Sequence, residues 1–319
     1  MKPLGTPSNS LEEMAEVALQ NVPTLDGATV QYQASIGSVV SPIHRGVESA
    51  CFDVNAGAEE LFLKVRYPDM AAFFDETAVR EGVRRASDLG VGPRLINAQT
   101  DTGSYLFERL GDDWHWGKVD DFEDPTVLEN TVKAKQAIHN SAAFSNDQSV
   151  FDLVESYSQI VDAENIIIPK TLDVVLQKVR QIGEAINAAG VTLKPCHGDG
   201  VASNVMIASV GEVRLVDFDS AANQDPYFDL GSLIVEIAQF PDLARAVLEI
   251  YEGECREAEF NRCMLYGIAD DLKWALWGFI SFSRSQRSQV EFVKYAEWRL
   301  LRSLSNVGGQ YFDRWLTKL

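Results

Sequence analysis

Residues 28–67 alternate between apolar and polar side chains with a period of two, which predicts β-strands. The alternating runs cover 28–36, 48–55 and 60–67, and a further strand pattern followed by a turn lies at 104–111. Helical patterns also occur in this part of the chain. They are a short one at 10–21, where Ser10 and Glu13 form a capping box and Pro23 ends the helix, and a longer one at 76–89. The pattern predicts a small β-rich region with one main helix.

Beyond Gly111 the apolar residues recur mostly with helical spacing. Candidate helices cover 125–139, 151–163 and 172–189, and helical patterns return after Asp229. The clear β signals of this part are confined to the segment around 213–216. The change of pattern predicts an α+β chain of two lobes, an N-terminal lobe at 1–111 and a mostly helical C-terminal lobe at 112–319.

The bulk composition excludes several classes of partner. The 319 residues carry a formal net charge of −19, which argues against nucleic-acid or anionic-membrane binding and is compatible with a cationic ligand. The four cysteines form no Cys-x-x-Cys pair and have no histidine at metal-ligand spacing, so reduced thiols in a cytoplasmic protein are expected. No signal-peptide core and no bilayer-length apolar run occurs, so membrane insertion is not expected. The oligomeric state stays open.

Asp199, Asn204 and Asp217 form the chemically informative pattern of the chain. In a kinase catalytic loop, an Asp and an Asn separated by four residues face one site. Asp199 would accept the proton of a substrate hydroxyl, and Asn204 would bind Mg²⁺ through its carbonyl oxygen. Asp217 ends the apolar strand 213–216 and is the second expected metal ligand. A surface turn would explain the first two residues alone, but the strand with its terminal Asp disfavours that alternative.

The segments HGDGVASN, LVDFD and DPYFDL resemble, in order and spacing, the catalytic segment of the aminoglycoside phosphotransferase and choline kinase superfamily. The resemblance implies a bilobal protein-kinase-like fold and transfer of the γ-phosphate of ATP to a small molecule. It matches Asp199 to the family's catalytic Asp, and Asn204 and Asp217 to its metal ligands. It also implies that His197 and Asp229 are structural, with Asp229 tying a helix start to the loop.

Lys64 is the candidate that would contact the nucleotide phosphates. A charge in an otherwise apolar strand ordinarily faces solvent, but a kinase lysine in this position meets the α- and β-phosphates and pairs with a helix glutamate. The helix at 76–89 resembles the family's helix before its Gly-Val-Gly-Pro turn. Glu81 in that helix is the expected partner, and Glu76 is the competing one.

The connection at 37–49 would cover the phosphates with backbone N–H groups. It is poor in glycine, with Gly37 and Gly46, and an ordinary hairpin explains it equally well. Gly46 and Ser49 are the expected contacts at its tip. Two tryptophans further on, Trp114 and Trp116, lie in an acidic stretch that is expected to be a loop, and their role stays open.

Aromatic residues near the C-terminus accompany a lone acidic residue, Glu236, in an apolar helix. An unpaired buried carboxylate is costly, so Glu236 should meet a cation or line a cavity. Trp274 and Trp277 share one helical face, and Tyr295 follows 18 positions after Trp277. Such rings can bind an ammonium group through cation–π attraction, although the pattern alone favours a helical core.

The W-x-x-W motif followed by Tyr-Ala and Arg resembles the end of choline and ethanolamine kinases. The resemblance implies that Glu236, Trp274, Trp277 and Tyr295 surround an amino-alcohol head. Three departures leave the nucleotide handling and exact substrate open. They are Gly in place of Asn in the His-Gly-Asp triplet, Asp219 where choline kinases tend to have Glu, and the absence of a Gly-Gly-x-Thr-Asn phosphate loop.

The expected protein is therefore an ATP- and Mg²⁺-dependent kinase of choline, ethanolamine or a related amino alcohol. An aminoglycoside, another amino sugar or thiamine is the alternative acceptor within the same fold. A pseudokinase-like protein that binds a quaternary amine without turnover is the alternative of another class. The presence of Asp199, Asn204, Asp217 and Lys64 counts against it, because a binding protein does not need them.

Overall fold

A six-stranded antiparallel sheet forms the N-terminal region in the computed structural model, which describes residues 1–36, 46–238 and 240–319. Its strands are β1 (Lys2–Pro3), β2 (Val30–Ile36), β3 (Ser49–Ala56), β4 (Glu59–Arg66), β5 (Leu95–Gln99) and β6 (Ser104–Glu108). They are arranged in the order β1-β2-β3-β4-β6-β5, so β4 lies inside the sheet between β3 and β6. The alternation of the sequence therefore places one face of β4 in the core and the other towards the rest of the molecule.

Two helices accompany this sheet, α1 (Ser10–Gln20) and α2 (Glu76–Asp88). The side chain of Asn9 caps α1 by accepting a backbone N–H of its first turn. Ser10, the predicted cap, is instead the first helical residue, because Asn9 already provides the acceptor that the helix end requires. Asp75 caps α2 in the same way.

Eight helices make up most of the described C-terminal region. They are α3 (Pro125–His139), α4 (Val150–Ala163), α5 (Thr171–Ala189), α6 (Pro226–Ile237), α7 (Pro241–Glu252), α8 (Glu257–Arg284), α9 (Phe292–Val307) and α10 (Phe312–Thr317). The 28-residue α8 is buried along most of its length, with α4, α6 and α9 packed around it. Within the described residues, no helix is both long and apolar enough to cross a membrane.

Five short strands surround the segment that carries the predicted catalytic residues. They are β7 (Trp114–Trp116), β8 (Lys194–Cys196), β9 (Val205–Ala208), β10 (Val213–Leu215) and β11 (Ala222–Gln224). They form a three-stranded sheet in the order β10-β9-β7 and a two-stranded sheet of β11 and β8. The predicted catalytic loop therefore leaves one small sheet at β8 and enters the other at β9.

Strand β7 corrects the expectation of an irregular loop around Trp114 and Trp116. The backbone of this segment pairs with β9, and Trp114 lies opposite Ala208. Its strand structure depends on a partner strand at least 90 residues further along the chain, which local composition does not reveal. Gly111 lies in the connection between β6 and β7, so the predicted lobe boundary falls between the two sheets.

Candidate active site

Asp199 lies in the loop that joins β8 to β9 and is only 7% exposed. Its Oδ1 accepts the backbone N–H of Val201 at 2.8 Å, and its Oδ2 accepts Nδ2 of Asn204 at 2.9 Å. Asn204 ends the short 3-10 turn that follows the loop. The loop thus brings together the two residues whose spacing suggested a common site, and it holds the Asp199 carboxylate in one orientation.

Asp229 supports this loop from the first turn of α6, where it is fully buried. Its carboxylate accepts hydrogen bonds from the backbone N–H groups of His197 (3.1 Å) and Gly198 (3.0 Å), from Nζ of Lys135 (2.8 Å) and from Nε2 of His139 (2.9 Å). Burial acts to raise the pKa of Asp229, but the positive charge of Lys135 and the His139 hydrogen bond outweigh it and hold the pKa below its ordinary value. Asp229 therefore ties the loop to both α3 and α6.

His197 connects the loop to the strand that precedes Asp217. Its Nδ1 lies 2.8 Å from the carbonyl oxygen of Asp199, and its Nε2 lies 2.9 Å from that of Val216. Burial, together with the charge of Lys135, lowers the pKa of His197. A neutral imidazole has a single N–H, so it donates to one of the two carbonyls at a time. This hydrogen-bonded arrangement is the structural role that was expected of His197.

Gly200 lies against the backbone of α6, and a Cβ at this position would overlap the main chain of Ser232. We therefore expect Gly200→Ala to displace the catalytic loop and to lower the melting temperature by several degrees, because backbone atoms on both sides cannot move independently. The measurement is a thermal unfolding scan. Gly308→Ala is the control, since a Cβ there meets only carbonyl oxygens at 3.3 Å or more. Equal melting temperatures for the two variants would contradict the close approach.

Asp217 follows β10 and adopts a left-handed backbone conformation with φ of 66°. Its carboxylate pairs with Nζ of Lys64, which also lies 3.0 Å from Asp219. Burial and the negative charge of Asp219 raise the pKa of Asp217 to about 7. For Asp219, burial acts in the same direction, but the charges of Arg66 and Lys64 hold its pKa below the ordinary value. The two neighbouring carboxylates thus differ strongly in their proton affinity.

A cavity of about 360 Å³ lies between the six-stranded sheet and the catalytic segment. Five of the predicted site residues line it, namely Gly46, Ser49, Lys64, Asn204 and Asp217. Its apolar lining comes from both regions of the chain and includes Phe62, Phe107, Leu110, Trp114, Trp116, Met206 and Leu215. An apolar cleft joined to polar groups has the character of a site for a base and its phosphates.

The predicted ion pair between Lys64 and Glu81 is wrong. Lys64 pairs with Asp217 and Asp219, whereas Glu81 accepts the backbone N–H of Ser145 at 2.8 Å. Glu76, the competing candidate, does not pair with Lys64 either. Glu81 follows Glu76 by five positions, so the two side chains point about 140° apart around α2, and Glu81 is turned towards the C-terminal region.

Of the connection at 37–49, which is predicted to cover the phosphates, the structure describes residues 46–49. Gly37 and the residues up to 45 lie outside the described residues. Gly46 has a positive φ of 61°, and Ser49 begins β3, where its hydroxyl accepts a hydrogen bond from Arg66 at 3.4 Å. Both residues border the cavity between the six-stranded sheet and the catalytic segment, so their assignment to nucleotide binding stays a prediction compatible with their position.

Trp274 and Trp277 on α8 and Tyr295 on α9 form a group that we call the aromatic corner. The three ring centroids are 5.3, 6.2 and 6.2 Å apart, and the ring planes meet at 83°, 78° and 85°. All three residues are buried. Val47 and Met70 from the N-terminal region pack against them. The predicted residues are therefore brought together as three nearly perpendicular faces.

A second cavity of about 50 Å³ borders the aromatic corner. Phe73, Phe74, Tyr157, Lys273, Trp274 and Trp277 contribute to its walls. Asp219 lines both this small cavity and the larger one. The two cavities thus share a wall at Asp219, two residues after the predicted metal ligand Asp217.

Glu236 meets cations, the first of the two environments expected for it. Its carboxylate lies 3.4 Å from Nη2 of Arg299 and 3.7 Å from Nη1 of Arg302. Burial raises the pKa of Tyr295 well above its ordinary value, and the negative charges of Glu236 and Asp199 add to the effect. Tyr295 therefore lies within electrostatic reach of both carboxylates. A direct contact of Glu236 with substrate stays a prediction.

Lys135 and His139 are site-supporting residues that the sequence analysis missed. Both lie on the buried face of α3, in register with the apolar Leu128 and Val132. Polar residues at i and i+4 on an otherwise apolar helix face were the available signal, because such groups need buried partners. Arg66 was missed as well, although it follows Lys64 by two residues and shares its face of β4.

Cys196 does approach a histidine in space, although no sequence spacing indicated it. Ligand atoms of Cys196, His139 and Asp229 lie within 4.8 Å of one another. His139 is already bonded to Asp229 and to Tyr251 Oη (2.9 Å), and burial keeps the pKa of the Cys196 thiol well above its ordinary value. This cluster is therefore best explained as part of the hydrogen-bonded support of the loop.

Residues 39–265 match the sequence profile of the phosphotransferase enzyme family. Protein LicA of Haemophilus influenzae is 26% identical over 165 residues, which cover 48% of this chain and 60% of that protein. The match therefore spans less than two thirds of this relative's length.

Two solved structures are similar over nearly the whole chain. A choline/ethanolamine kinase family protein from Mesorhizobium loti has a TM-score of 0.79 at 23% identity, covering 97% of this chain and 98% of the other. Choline kinase LicA from Streptococcus pneumoniae has a TM-score of 0.76 at 16% identity, covering 93% and 99%. At these identities the similarity shows a common fold.

Proposed function

Because the chain belongs to the phosphotransferase enzyme family, we propose that it transfers the γ-phosphate of ATP, with Mg²⁺, to the hydroxyl of a small amino alcohol of the choline or ethanolamine type. One observation carries this proposal. The aromatic corner borders a small cavity that shares Asp219 with the cavity of Lys64, Asn204 and Asp217. The proposed ammonium site would thus lie beside a set of groups suited to phosphoryl transfer.

Asp199 acts on the acceptor hydroxyl in this proposal. Its carboxylate is held by Val201 and Asn204, so it is oriented before the acceptor arrives. It aligns the hydroxyl for in-line attack on the γ-phosphate and accepts its proton. The fixed orientation replaces a flexible carboxylate whose entropy would have to be lost during the reaction.

Asn204 and Asp217 are suited to hold Mg²⁺. Carboxylate and amide oxygens are the hard ligands that this ion prefers. Asn204 uses its Nδ2 group for Asp199, which leaves its Oδ1 directed elsewhere, and both residues line the larger cavity. Bound there, the ion would neutralise charge on the phosphate oxygens. Lys64 contributes a second positive charge to the phosphates once it is released from Asp217.

The geometry of the aromatic corner fits an ammonium group. Trp274 and Trp277 border the small cavity and their ring planes meet at 83°, so a cation in that cavity would lie close to both rings, where cation–π attraction acts. Tyr295 packs edge-to-face against the two tryptophan rings. The ring of Trp274 already has the Lys273 ammonium 4.5 Å from its centroid. The ring is therefore placed where it attracts positive charge.

Charge balance near the corner also favours a cationic acceptor. A largely buried network joins three carboxylates to three cations, and it consists of Glu236, Asp270, Asp271, Lys273, Arg299 and Arg302. This network is neutral as a whole, and the negative charge of Asp199, which acts on Tyr295, is not part of it. The small volume beside the corner, about 50 Å³, favours an amino alcohol over an aminoglycoside.

A panel of acceptors with Mg·ATP tests the proposal through ADP release. The panel contains choline, ethanolamine, thiamine, kanamycin and 3,3-dimethyl-1-butanol, which has the shape of choline without its charge. We expect turnover of an amino alcohol and a kcat/KM at least about tenfold lower for the neutral compound, because cation–π attraction contributes roughly 0.5–2 kcal/mol per ring. Activity only on kanamycin or thiamine would overturn the choice of acceptor. Tight choline binding without any turnover would favour the binding-protein alternative.

Trp277→Leu tests the role of the corner. Leucine keeps an apolar side chain in the cluster but removes the ring face, so we expect KM for the amino alcohol to rise about tenfold while KM for ATP changes little. Trp315→Leu, on α10 and stacked on Tyr311, is the matched control. An unchanged KM for the amino alcohol in Trp277→Leu would remove the aromatic corner from the substrate site.

A further inference from the structure

Arg66 is a buried cation that has no role in the reaction proposed above. It lies at the end of β4, and its side chain is 3% exposed. Its Nε donates to Glu76 at 2.9 Å, its Nη2 donates to Asp219 at 2.9 Å, and its Nη1 also contacts Asp219. Its guanidinium carbon lies 4.0 Å from the ring centroid of Phe74. The group is therefore held on its edges by two carboxylates and on its face by an aromatic ring.

The partners of Arg66 come from different parts of the fold. Glu76 is the first residue of α2, and its second oxygen accepts the hydroxyl of Tyr105 on β6 at 2.6 Å. Asp219 belongs to the segment after β10 and borders both cavities. One side chain thus joins the N-terminal sheet, its helix and the segment that carries the proposed metal ligand Asp217.

The two cations of β4, Lys64 and Arg66, contact the carboxylates of Asp217 and Asp219 in different ways. Lys64 contacts both Asp217 and Asp219, whereas Arg66 holds Asp219 in a two-pronged contact. Such bidentate contacts fix direction as well as distance, which a lysine ammonium does not. Asp219 therefore stays in place if Lys64 moves away.

We propose that Arg66 is a positioning residue for the nucleotide. It anchors α2 through Glu76 and the Asp217–Asp219 segment through Asp219, the task that an ion pair between Lys64 and a helix glutamate was expected to perform. Among the described residues, Lys64 pairs with Asp217 and Asp219 and with no residue of α2. It can therefore move from Asp217 to the phosphates without loosening the connection between sheet, helix and catalytic segment. This inference rests on the proposed binding of Mg·ATP.

Four substitutions test the proposal, namely Arg66→Gln, Arg66→Lys, Glu76→Gln and Asp219→Asn. We expect Arg66→Gln to raise KM for ATP about tenfold or more, and to raise equally the Mg·ATP concentration that gives half of the maximal melting-temperature shift. KM for the amino alcohol should change by less than about threefold. Arg66→Lys should recover only part of the loss, since lysine restores the charge but not the bidentate contact.

Two further variants separate positioning from general stability. Arg85→Gln removes an arginine of α2 that links this helix to the C-terminal region, through a hydrogen bond to Ser141 at 2.7 Å and a contact with the ring of Phe144. Arg85 is the matched control because its removal also breaks a link between α2 and the C-terminal region, which the removal of an exposed arginine would not do. Glu81→Gln tests the sequence-based alternative against Glu76→Gln on the same helix.

The outcomes distinguish this inference from the proposed function. A double variant Arg66→Gln with Asp219→Asn that is no worse than either single variant would support a common role, because coupled residues are not additive. A lower melting temperature with an unchanged response to Mg·ATP would overturn the inference, and so would an effect of Glu81→Gln as large as that of Glu76→Gln. A wild-type protein without any response to Mg·ATP would overturn the proposed function and this inference with it.

Discussion

Asp199→Asn is expected to lower kcat for the amino alcohol by at least about 10³-fold while leaving ATP binding nearly intact. The amide cannot accept the hydroxyl proton. It also presents an N–H₂ group to one of the two donors that the carboxylate now faces, the backbone of Val201 or Asn204. Both effects act at the acceptor, and the apolar lining of the nucleotide cavity is unchanged.

The measurement is ADP release under saturating Mg·ATP, together with the Mg·ATP-induced shift of the melting temperature. Asp152→Asn, in the first turn of α4, is the control for the loss of one negative charge. If Asp199→Asn turns over within tenfold of the wild type, the assignment of the acceptor base is wrong. Loss of the nucleotide response together with turnover would instead point to a collapsed loop.

Among the substitutions proposed here, Asp229→Asn is expected to lower the free energy of unfolding most. The carboxylate accepts four hydrogen bonds at full burial, and it is the counter-charge of Lys135, which is 1% exposed. Removing one partner of a buried ion pair costs about 3–5 kcal/mol, since the other charge is left without compensation. For a chain of this size we expect the melting temperature to fall by roughly 10 °C.

Lys135→Met combined with Asp229→Asn supplies the control for that explanation. The double variant removes the stranded charge, so it should recover part of the stability lost in Asp229→Asn without recovering activity, because the loop contacts at His197 and Gly198 remain impaired. Thermal and urea unfolding measure the first quantity, and ADP release measures the second. A double variant less stable than Asp229→Asn would show that the hydrogen bonds outweigh the charge.

The parts of the molecule that depend on local spacing were predicted well. Asp199 and Asn204 share one loop because a tight turn places residues at this separation together, and the strand before Asp217 was readable from its apolar run. The family and the protein-kinase-like α+β fold, both inferred from the same segment, are confirmed by the family match and the similar structures. A phosphotransferase is therefore established at the level of the family.

The features that depend on the rotation of a helix or on pairing between distant strands could not be predicted from the sequence. Whether Glu76 or Glu81 faces β4 depends on how α2 is rotated against the sheet, and neither residue carries that information alone. The partner of β7 lies across the chain at β9, so its strand was missed. The aromatic corner came from a resemblance, since the pattern of Trp274 and Trp277 is equally that of a helical core, and the structure shows both residues buried as well.

The burial of α8 has a consequence for how acceptor preference can change during evolution. Trp274 and Trp277 belong to a helix that is buried along most of its length, so replacing them disturbs the scaffold together with the site. Phe73, Phe74 and Tyr157 border the same small cavity but are only partly buried. New specificities should therefore arise first at these positions, and above all at Phe73 and Tyr157, because Phe74 also packs on Arg66.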